Sequence, residues 1–272
     1  GVRALWWHTL YARLAAPSSA MGDSSTEYYD QAARDLFAQL GLDRLGGVRA
    51  GAHYNSLDPI YARESGAAIF VGNDTAARSR EMLARAGVTH VVNCTDNIPN
   101  YHEAGAAPLA YLRFNVSYWA RHIGPEHESV LAFTQPLFAF IDEAHSAGGS
   151  VLVHCLAGAH RAGTTGVLCL MHYRRMSHSD ALAMARRLRP AINPIGGLPG
   201  LLQRYEAAAA RRGAAGEAAR DEVGEVVGAG RKAVFEARVK ELFAAETARG
   251  TQANAAAASA LQQAQSEQQT GQ

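Results

Sequence analysis

The sequence predicts an α/β fold of three layers, in which helices flank a twisted, mostly parallel sheet. Short apolar, β-prone stretches alternate with stretches of helical length through the middle of the chain, an order typical of parallel strands joined by helical crossovers. The 272 residues, 48% of them hydrophobic, are also enough to bury one sizeable core. We therefore expect one domain over residues 60–212.

The remaining residues are expected to lie outside this domain. Residues 1–59 form an N-terminal extension that is predicted to be partly helical or disordered, with a short amphipathic helix inside 27–46. Residues 213–272 are rich in Ala and Gln, and we expect a helical to disordered tail there.

The first half of the domain begins with a strand, a helix and a second strand. The stretch AIFVG over 68–72 is expected to be an edge strand. Asp74 can cap a helix over Thr75 to Ala86, and Val88 to Asn93 is predicted to be the next strand.

The second half continues the alternation of strand and helix. The predicted elements are a strand over 111–116, a helix over 130–147, a strand over 151–154, and helices over 163–173, 180–188 and 198–212. Ser177 is expected to cap the helix that begins near 180.

The turn after the strand over 151–154 carries the candidate chemistry. Cys155 stands at one edge of this turn and Arg161 at the other. A loop that folds onto a helix N-terminus points backbone N–H groups inward, and these groups and the helix dipole favour a bound oxyanion. Arg161 adds a planar guanidinium that can hold two phosphate oxygens. The expected phosphate-binding residues are Leu156, Ala157, Gly158, Ala159, His160 and Arg161.

Cys155 is the candidate nucleophile. The dipoles that hold a phosphate group also stabilise a thiolate, which is the nucleophilic form of cysteine. We expect phosphoryl transfer to Cys155 and then hydrolysis of the thiophosphate. The alternative is an ordinary strand–helix turn with a buried cysteine and a capping arginine.

The sequence His154-Cys155-Leu-Ala-Gly-Ala-His-Arg161 resembles the active-site loop of the cysteine-dependent protein tyrosine phosphatase superfamily. Its inner residues are similar to those of the dual-specificity branch, especially the MAP kinase phosphatases. The stretch Asn93-Cys-Thr-Asp-Asn-Ile-Pro99-Asn resembles a segment of the same enzymes. The chain is therefore identified as a dual-specificity phosphatase, with residues 60–212 as its catalytic domain.

The resemblance implies a protein tyrosine phosphatase-like fold and hydrolysis of phosphoserine, phosphothreonine and phosphotyrosine in proteins. It implies no cofactor and no metal, and a phosphorylated protein as partner, for which the similarity names a MAP kinase as a candidate. His154 takes a supporting role in such enzymes, as a hydrogen-bond relay under the loop. Cys94 is a candidate redox partner of Cys155, because some relatives form a reversible disulfide there; a small core residue is the alternative.

Two positions depart from the family pattern. Tyr118 stands where the branch has the aspartate that protonates the leaving oxygen, and Ala162 follows Arg161 where most relatives have Ser or Thr. Ala162 is expected to slow hydrolysis of the intermediate. The candidates for a replacement general acid are Asp96, His122, Glu126 and Glu128. The alternative function is a catalytically weak phosphoprotein-binding module that lacks the acid.

Composition gives expectations about location and partners. A net charge of +1 predicts neither nucleic-acid binding nor a polybasic membrane anchor, and no membrane span is expected. The three cysteines do not form a disulfide framework, and a reactive thiol requires a reducing compartment. We therefore expect a cytoplasmic or nuclear protein. Organelle targeting by residues 1–22, which carry Arg and Ser but no acidic residue, is the alternative.

Overall fold

A computed structural model describes residues 22–41, 54–105 and 107–217. Its strands are β1 (Leu57–Ala62), β2 (Ala68–Gly72), β3 (Val88–Asn93), β4 (Ala110–Arg113) and β5 (Ser150–His154). They form one sheet in the order β1-β2-β5-β3-β4, in which β1 and β2 are antiparallel and the other neighbours are parallel. The predictions for residues 1–21 and for the tail beyond 217 lie outside the described residues.

Eight α-helices are described over the same ranges. They are α1 (Gly22–Leu40), α2 (Asp74–Arg78), α3 (Arg80–Arg85), α4 (Trp119–His122), α5 (His127–Ser146), α6 (Arg161–Arg174), α7 (His178–Leu188) and α8 (Leu198–Glu217), with a 3₁₀ turn at Val116–Tyr118 before α4. The expected mostly parallel sheet flanked by helices is confirmed. None of the helices in this part of the chain is long and apolar enough to cross a membrane.

The prediction that β2 is an edge strand is wrong, because β1 pairs with it on the outer side. The sequence of β1 contains Asp58 and Pro59, two residue types that are depleted in strands, so it carries only a weak strand signal. Proline is tolerated in β1 because the strand lies at the edge of the sheet. Asp58 is buried there in an ion pair with Arg189.

The single helix predicted over 75–86 is also wrong, since the structure has two short helices. Ser79 has an extended backbone (φ −83°, ψ 96°), and its hydroxyl accepts a hydrogen bond from the amide of Met82. Ser79 therefore ends α2 and caps α3, in keeping with the competition of serine side chains with helical hydrogen bonds. Asn73, not Asp74, is the N-cap of α2, and its side-chain oxygen accepts from the amide of Ala76 at 2.9 Å.

Several other boundaries shift by a few residues. The strand predicted over 111–116 ends as β4 at Arg113, and the helix predicted over 198–212 continues to Glu217. The prediction for β3 is confirmed, as is that for the Ser177 cap, whose hydroxyl accepts from the amide of Asp180. The residues of β2 and β5 are all buried, as expected for parallel strands covered on both faces.

Candidate active site

The candidate site lies where the parallel strands end. The carboxyl ends of parallel strands meet at one edge of a sheet, so the segments that follow β2, β3 and β5 are neighbours. Hydrogen bonds join these segments: the amide of Asp74 donates to the carbonyl of Leu156 (3.1 Å), and that of Cys94 donates to the carbonyl of His154 (2.9 Å).

Cys155 directly follows β5 and is 2% exposed. Arg161 is the first residue of α6 and is 1% exposed. The five residues between them connect a strand to a helix N-terminus, as predicted. The cysteine and the arginine thus occupy the two ends of one buried loop, residues 155–161, which we call the cysteine loop.

The carbonyl groups of the cysteine loop are bound by the surrounding protein. Arg189 contributes most, because its Nε donates to the carbonyl of Gly158 (2.8 Å) and its Nη2 donates to that of Ala157 (3.1 Å). Tyr54 also donates to the carbonyl of Ala157 (2.7 Å), and the amide of Asn193 donates to that of Ala159 (3.0 Å). Four successive carbonyls, of residues 156–159, are therefore engaged.

This arrangement fixes the direction of the amide groups. In a trans peptide, the N–H group of the next residue points away from the carbonyl, and the described residues contain no cis peptide bond. The N–H groups of residues 157–160 consequently point away from Arg189, Tyr54 and the other donors. They are the amides that the sequence assigns to the phosphate. Phosphate binding by residues 156–161 remains a prediction.

Gly158 is required by the geometry of the cysteine loop. Its φ is +63°, and a Cβ atom there would lie 2.5 Å from the carbonyl oxygen of Gly72 and 2.7 Å from Nη2 of Arg189. We predict that Gly158→Ala lowers the free energy of unfolding by at least about 2 kcal/mol, because the backbone strain and the steric overlap add. Chemical denaturation measures this change.

Gly87→Ala is the matched control for this substitution. Gly87 has nearly the same φ (+64°), but the nearest atom to its added Cβ is 3.8 Å away. The free energy of unfolding of Gly87→Ala should fall only by the cost of the left-handed backbone, about 1–2 kcal/mol. Equal losses in the two variants would show that the contacts of Gly158 with Gly72 and Arg189 do not matter.

Only one of the three guanidinium nitrogens of Arg161 has a hydrogen-bond partner among the described residues. Its Nη2 donates to Oδ1 of Asp30, a residue of α1. Its Nε and Nη1 are buried and have no hydrogen-bond partner among the described residues. A buried guanidinium with two unpaired nitrogens is costly unless an anion completes its hydrogen bonds. Arg161 is therefore suited to bind an oxyanion.

Cys94 lies beside Cys155. In the parallel pair of β3 and β5, Asn93 is in register with His154, so the two cysteines directly follow paired residues. Both thiols are free. Burial raises the pKa of the Cys94 thiol, whose Sγ lies 3.4 Å from Oγ1 of Thr165. The position of Cys94 is compatible both with a role as a small core residue and with a role as redox partner of Cys155. The redox role stays a prediction.

His154 is fully buried at the end of β5, and this burial lowers its pKa to about 4. The imidazole is therefore neutral near pH 7. Neither ring nitrogen has a side-chain hydrogen-bond partner among the described residues. The relay that the family resemblance implies for His154 stays a prediction. Ala162 is also fully buried, in the first turn of α6, and its effect on the second chemical step is likewise untested.

Asp96 lies next to Tyr118, the residue that replaces the expected aspartate. The hydroxyl of Tyr118 donates to Oδ2 of Asp96 (3.2 Å), and burial raises the pKa of this phenol. Thr26 of α1 also donates to Asp96, with its Oγ1 at 2.9 Å from each carboxylate oxygen. Tyr118, which stands at the sequence position of the missing acid, therefore contacts a carboxylate from a different loop.

The other three acid candidates lie around α4 and the start of α5. The ring of His122 stacks on Phe133, with the ring centroids 6.0 Å apart, and burial lowers the pKa of its imidazole. Glu126 is the N-cap residue of α5, and Glu128 is exposed in the first turn of the same helix. Among the described residues, no hydrogen bond or ion pair joins these three side chains to the cysteine loop.

Sequence reasoning missed three residues of this region. Arg189 directly follows the helix predicted over 180–188, yet its side chain donates hydrogen bonds to the cysteine loop. Tyr54 and Asp30 lie in the segment assigned to the N-terminal extension. No local sequence signal identifies these three residues; the buried ion pair of Asp58 in β1 with Arg189 joins positions far apart in the chain. Among the described residues, no group of three or more metal-ligating side chains occurs.

Comparison with protein families finds one match that covers most of the described residues. Residues 69–208 match the model of the "Dual specificity phosphatase, catalytic domain" family. This match includes β2 to β5, the cysteine loop and α2 to α7, but not α1 or β1.

Curated relatives agree with this match. Dual specificity phosphatase 28 of Homo sapiens is 34% identical over 140 residues, which cover 52% of this chain and 74% of the relative. Dual specificity protein phosphatase Mpk3 of Drosophila melanogaster is 36% identical over 128 residues, and human dual specificity protein phosphatase 9 is 28% identical over 190 residues. The chain spans only 29% and 46% of the lengths of these two.

One solved structure is similar along nearly its whole length. A crystal structure of a variant of human dual specificity phosphatase 28 is 31% identical, with a TM-score of 0.46, and the match covers 58% of this chain and 99% of that one.

Proposed function

Because the chain belongs to the dual-specificity phosphatase catalytic-domain family, we propose that it hydrolyses phosphoserine, phosphothreonine and phosphotyrosine in proteins through a cysteinyl-phosphate intermediate. The observation that carries the proposal is the state of Arg161. It is buried at the end of the cysteine loop with two guanidinium nitrogens unpaired within the described structure. A phosphate group between Arg161 and the amides of residues 157–160 would pair them.

The proposed reaction has two steps. The Cys155 thiolate attacks phosphorus, the bond from phosphorus to the ester oxygen breaks, and its electron pair leaves with that oxygen, which takes a proton from an acid. Water then attacks the phosphocysteine, releasing inorganic phosphate and restoring the thiolate. The loop amides and Arg161 stabilise the charge on the non-transferred oxygens in both transition states.

Asp96 is the best-supported general acid. Its contact with Tyr118 brings a carboxyl group next to the residue that stands at the family's aspartate position in the sequence, whereas His122, Glu126 and Glu128 lie around α4 and α5. Asp96 is also exposed, so it can reach a substrate and exchange protons with solvent. Its assignment is a proposal that a single substitution tests.

We predict that Asp96→Asn lowers kcat for a phosphothreonine peptide by about 10²-fold or more, because a positioned acid contributes about 10²- to 10⁴-fold. The effect on p-nitrophenyl phosphate should be small, since its leaving group needs little protonation. Steady-state kinetics on the two substrates measure this difference. Glu128→Gln is the control and should leave both rates near wild type; a loss in Glu128→Gln alone would move the acid to α5.

The proposed substrates are phosphoproteins. The side chains of Leu156, Ala157 and Ala159 are neutral, whereas a highly charged inositol headgroup would require lysines in this loop. We further propose an activated MAP kinase as one substrate, because the loop resembles that of MAP kinase phosphatases. Phosphate release from the following three substrates tests both proposals: a doubly phosphorylated MAP kinase, isolated phosphopeptides and a phosphoinositide. Preference for the phosphoinositide would contradict the proposal that the substrates are phosphoproteins.

A second candidate function is phosphoprotein binding with little catalysis. Tyr118 in place of the expected aspartate favours it. A chain of this kind would bind a phosphopeptide but would not release phosphate from it, even over long incubation. Phosphate release from a phosphothreonine peptide by the full chain separates the two functions, because that substrate needs the acid, whereas p-nitrophenyl phosphate does not.

A further inference from the structure

Helix α1 lies on the candidate active site, although the family match begins only at residue 69. Its Asp30 pairs with Arg161, and the side chains of the two residues are 13% and 1% exposed. The residue that should hold a substrate phosphate therefore holds a carboxylate from the N-terminal extension of the same chain.

Both oxygens of the Asp30 carboxylate are engaged by residues of the site. Oδ1 accepts from Nη2 of Arg161, and Oδ2 accepts from Nδ2 of Asn97 at 2.8 Å. Asn97 belongs to the loop after β3, next to Asp96. A carboxylate is an oxyanion of the kind that a guanidinium binds well, so Asp30 occupies a position suited to two phosphate oxygens.

Residues one turn on either side of Asp30 extend this contact. Thr26 donates to both oxygens of Asp96, the proposed acid. Ala33 is 2% exposed and packs with Ala157 and Ala159 of the cysteine loop. Because positions 26, 30 and 33 lie on one helix face, a single face of α1 contacts the acid, the arginine and the loop.

The contact continues to the end of the helix. Leu36 and Phe37 pack against the same cluster as Ala33, together with Leu156 and Ala191. Phe37 also meets the ring of Tyr54 edge to face at 6.1 Å between centroids, and Tyr54 itself donates to the cysteine loop. On the other side, the ring of Tyr29 lies 5.8 Å from the Arg161 guanidinium. The face of α1 is thus complementary to the site in charge and in shape.

We propose that α1 is an autoinhibitory helix that binds the active site as a substrate mimic, with Asp30 in place of the phosphate group. The inference rests on the proposed function and names the regulation of that site. A phosphorylated substrate and α1 cannot occupy Arg161 together, so catalysis requires α1 to move away.

The exchange is physically feasible. A phosphate dianion has more charge and more acceptor oxygens than a carboxylate, so it replaces the Asp30 contact and also pairs the two free nitrogens of Arg161. Most of the stability of a helix in a protein comes from packing of its apolar face, so α1 depends on this contact for much of its stability. The apparent affinity for an oxyanion equals the intrinsic affinity multiplied by the fraction of molecules in which α1 is released from the site.

The test uses Asp30→Asn in the full chain, with tungstate as the binding probe and a phosphothreonine peptide as substrate. The substitution keeps the shape of residue 30 and removes the charge that pairs with Arg161. We expect at least tenfold tighter tungstate binding by calorimetry, and at least tenfold higher kcat/KM arising mainly from a lower KM.

Asp35→Asn is the matched control, because Asp35 is exposed on the same helix and its carboxylate accepts a hydrogen bond from Gln31 rather than from the site. It should stay within twofold of wild type. Ala33→Gln provides a second route to the same result, since the larger side chain at a buried contact displaces α1 while Asp30 is kept. It should also tighten tungstate binding.

The outcomes separate this inference from the proposed function. Tungstate binding that is equal in wild type, Asp30→Asn and Ala33→Gln, or absent from all three, overturns the autoinhibitory role of α1. If both variants bind tungstate more tightly but no variant releases phosphate, the role of α1 as an occupant stands and the hydrolase function fails. Equal gains in Asp30→Asn and Asp35→Asn would show a general charge effect and would also overturn the inference.

Discussion

Cys155→Ser is expected to abolish phosphate release while leaving phosphopeptide binding intact. A serine hydroxyl at the start of the cysteine loop is far less ionised than a thiol near neutral pH, so the attacking anion is lost. Removal of a catalytic nucleophile costs about 10⁶-fold in well-studied hydrolases, and we expect a loss of at least about 10⁴-fold in kcat here. Turnover of p-nitrophenyl phosphate measures it.

Cys169→Ser is the control for this prediction. Cys169 is fully buried in the middle of α6, so the same change of sulfur to oxygen is made away from the cysteine loop. The control should keep most of the activity. Release of phosphate by Cys155→Ser at a rate close to that of wild type would rule out Cys155 as the nucleophile.

Arg161→Lys is expected to lower kcat/KM by about 10²- to 10³-fold, even though it keeps the positive charge. Lysine lacks the planar fork that lets Nε and the Nη atoms bind two oxygens at once. The expected loss is that of one well-placed donor to a developing charge. Steady-state kinetics with p-nitrophenyl phosphate, supported by calorimetry with tungstate, show whether binding and catalysis fall together.

Arg85→Lys is the matched control, because Arg85 is exposed on α3 and pairs with Glu81 one turn away. It should have wild-type kinetics. Wild-type kcat/KM in Arg161→Lys would mean that charge alone, without the fork, is sufficient in the cysteine loop.

The sequence predicted the part of the site that is local in the chain. Cys155 and Arg161 belong to one strand–loop–helix unit, so their spacing was enough to place them at the two ends of one loop. The same holds for β3, whose run of β-prone residues has clear limits, and for the cap at Ser177.

The contacts that were missed join residues far apart in the chain. Arg189 reaches the carbonyls of Ala157 and Gly158 from more than thirty residues away, and nothing in its local sequence distinguishes it from an arginine that ends a helix. The strand β1 was missed because Asp58 and Pro59 weaken its pattern, and the ion pair with Arg189 that allows Asp58 to be buried is likewise non-local.

Helix α1 illustrates the same limit. Its amphipathic pattern predicted a helix, but the partner of a helix face cannot be read from the face itself. The structure places Asp30 against Arg161, 131 residues further along the chain. Tyr118 is a related case, because its sequence position indicated a missing acid, and only the fold brings Asp96 next to it.

Trapping the covalent intermediate is the most direct test of the account. The full chain, mixed with a phosphopeptide and quenched within milliseconds, should carry a phosphate group on the peptide that contains Cys155, identified by mass spectrometry, and Cys155→Ser should not. A chain that turns over substrate without any phosphorylated Cys155, or with the phosphate on another residue, would contradict it.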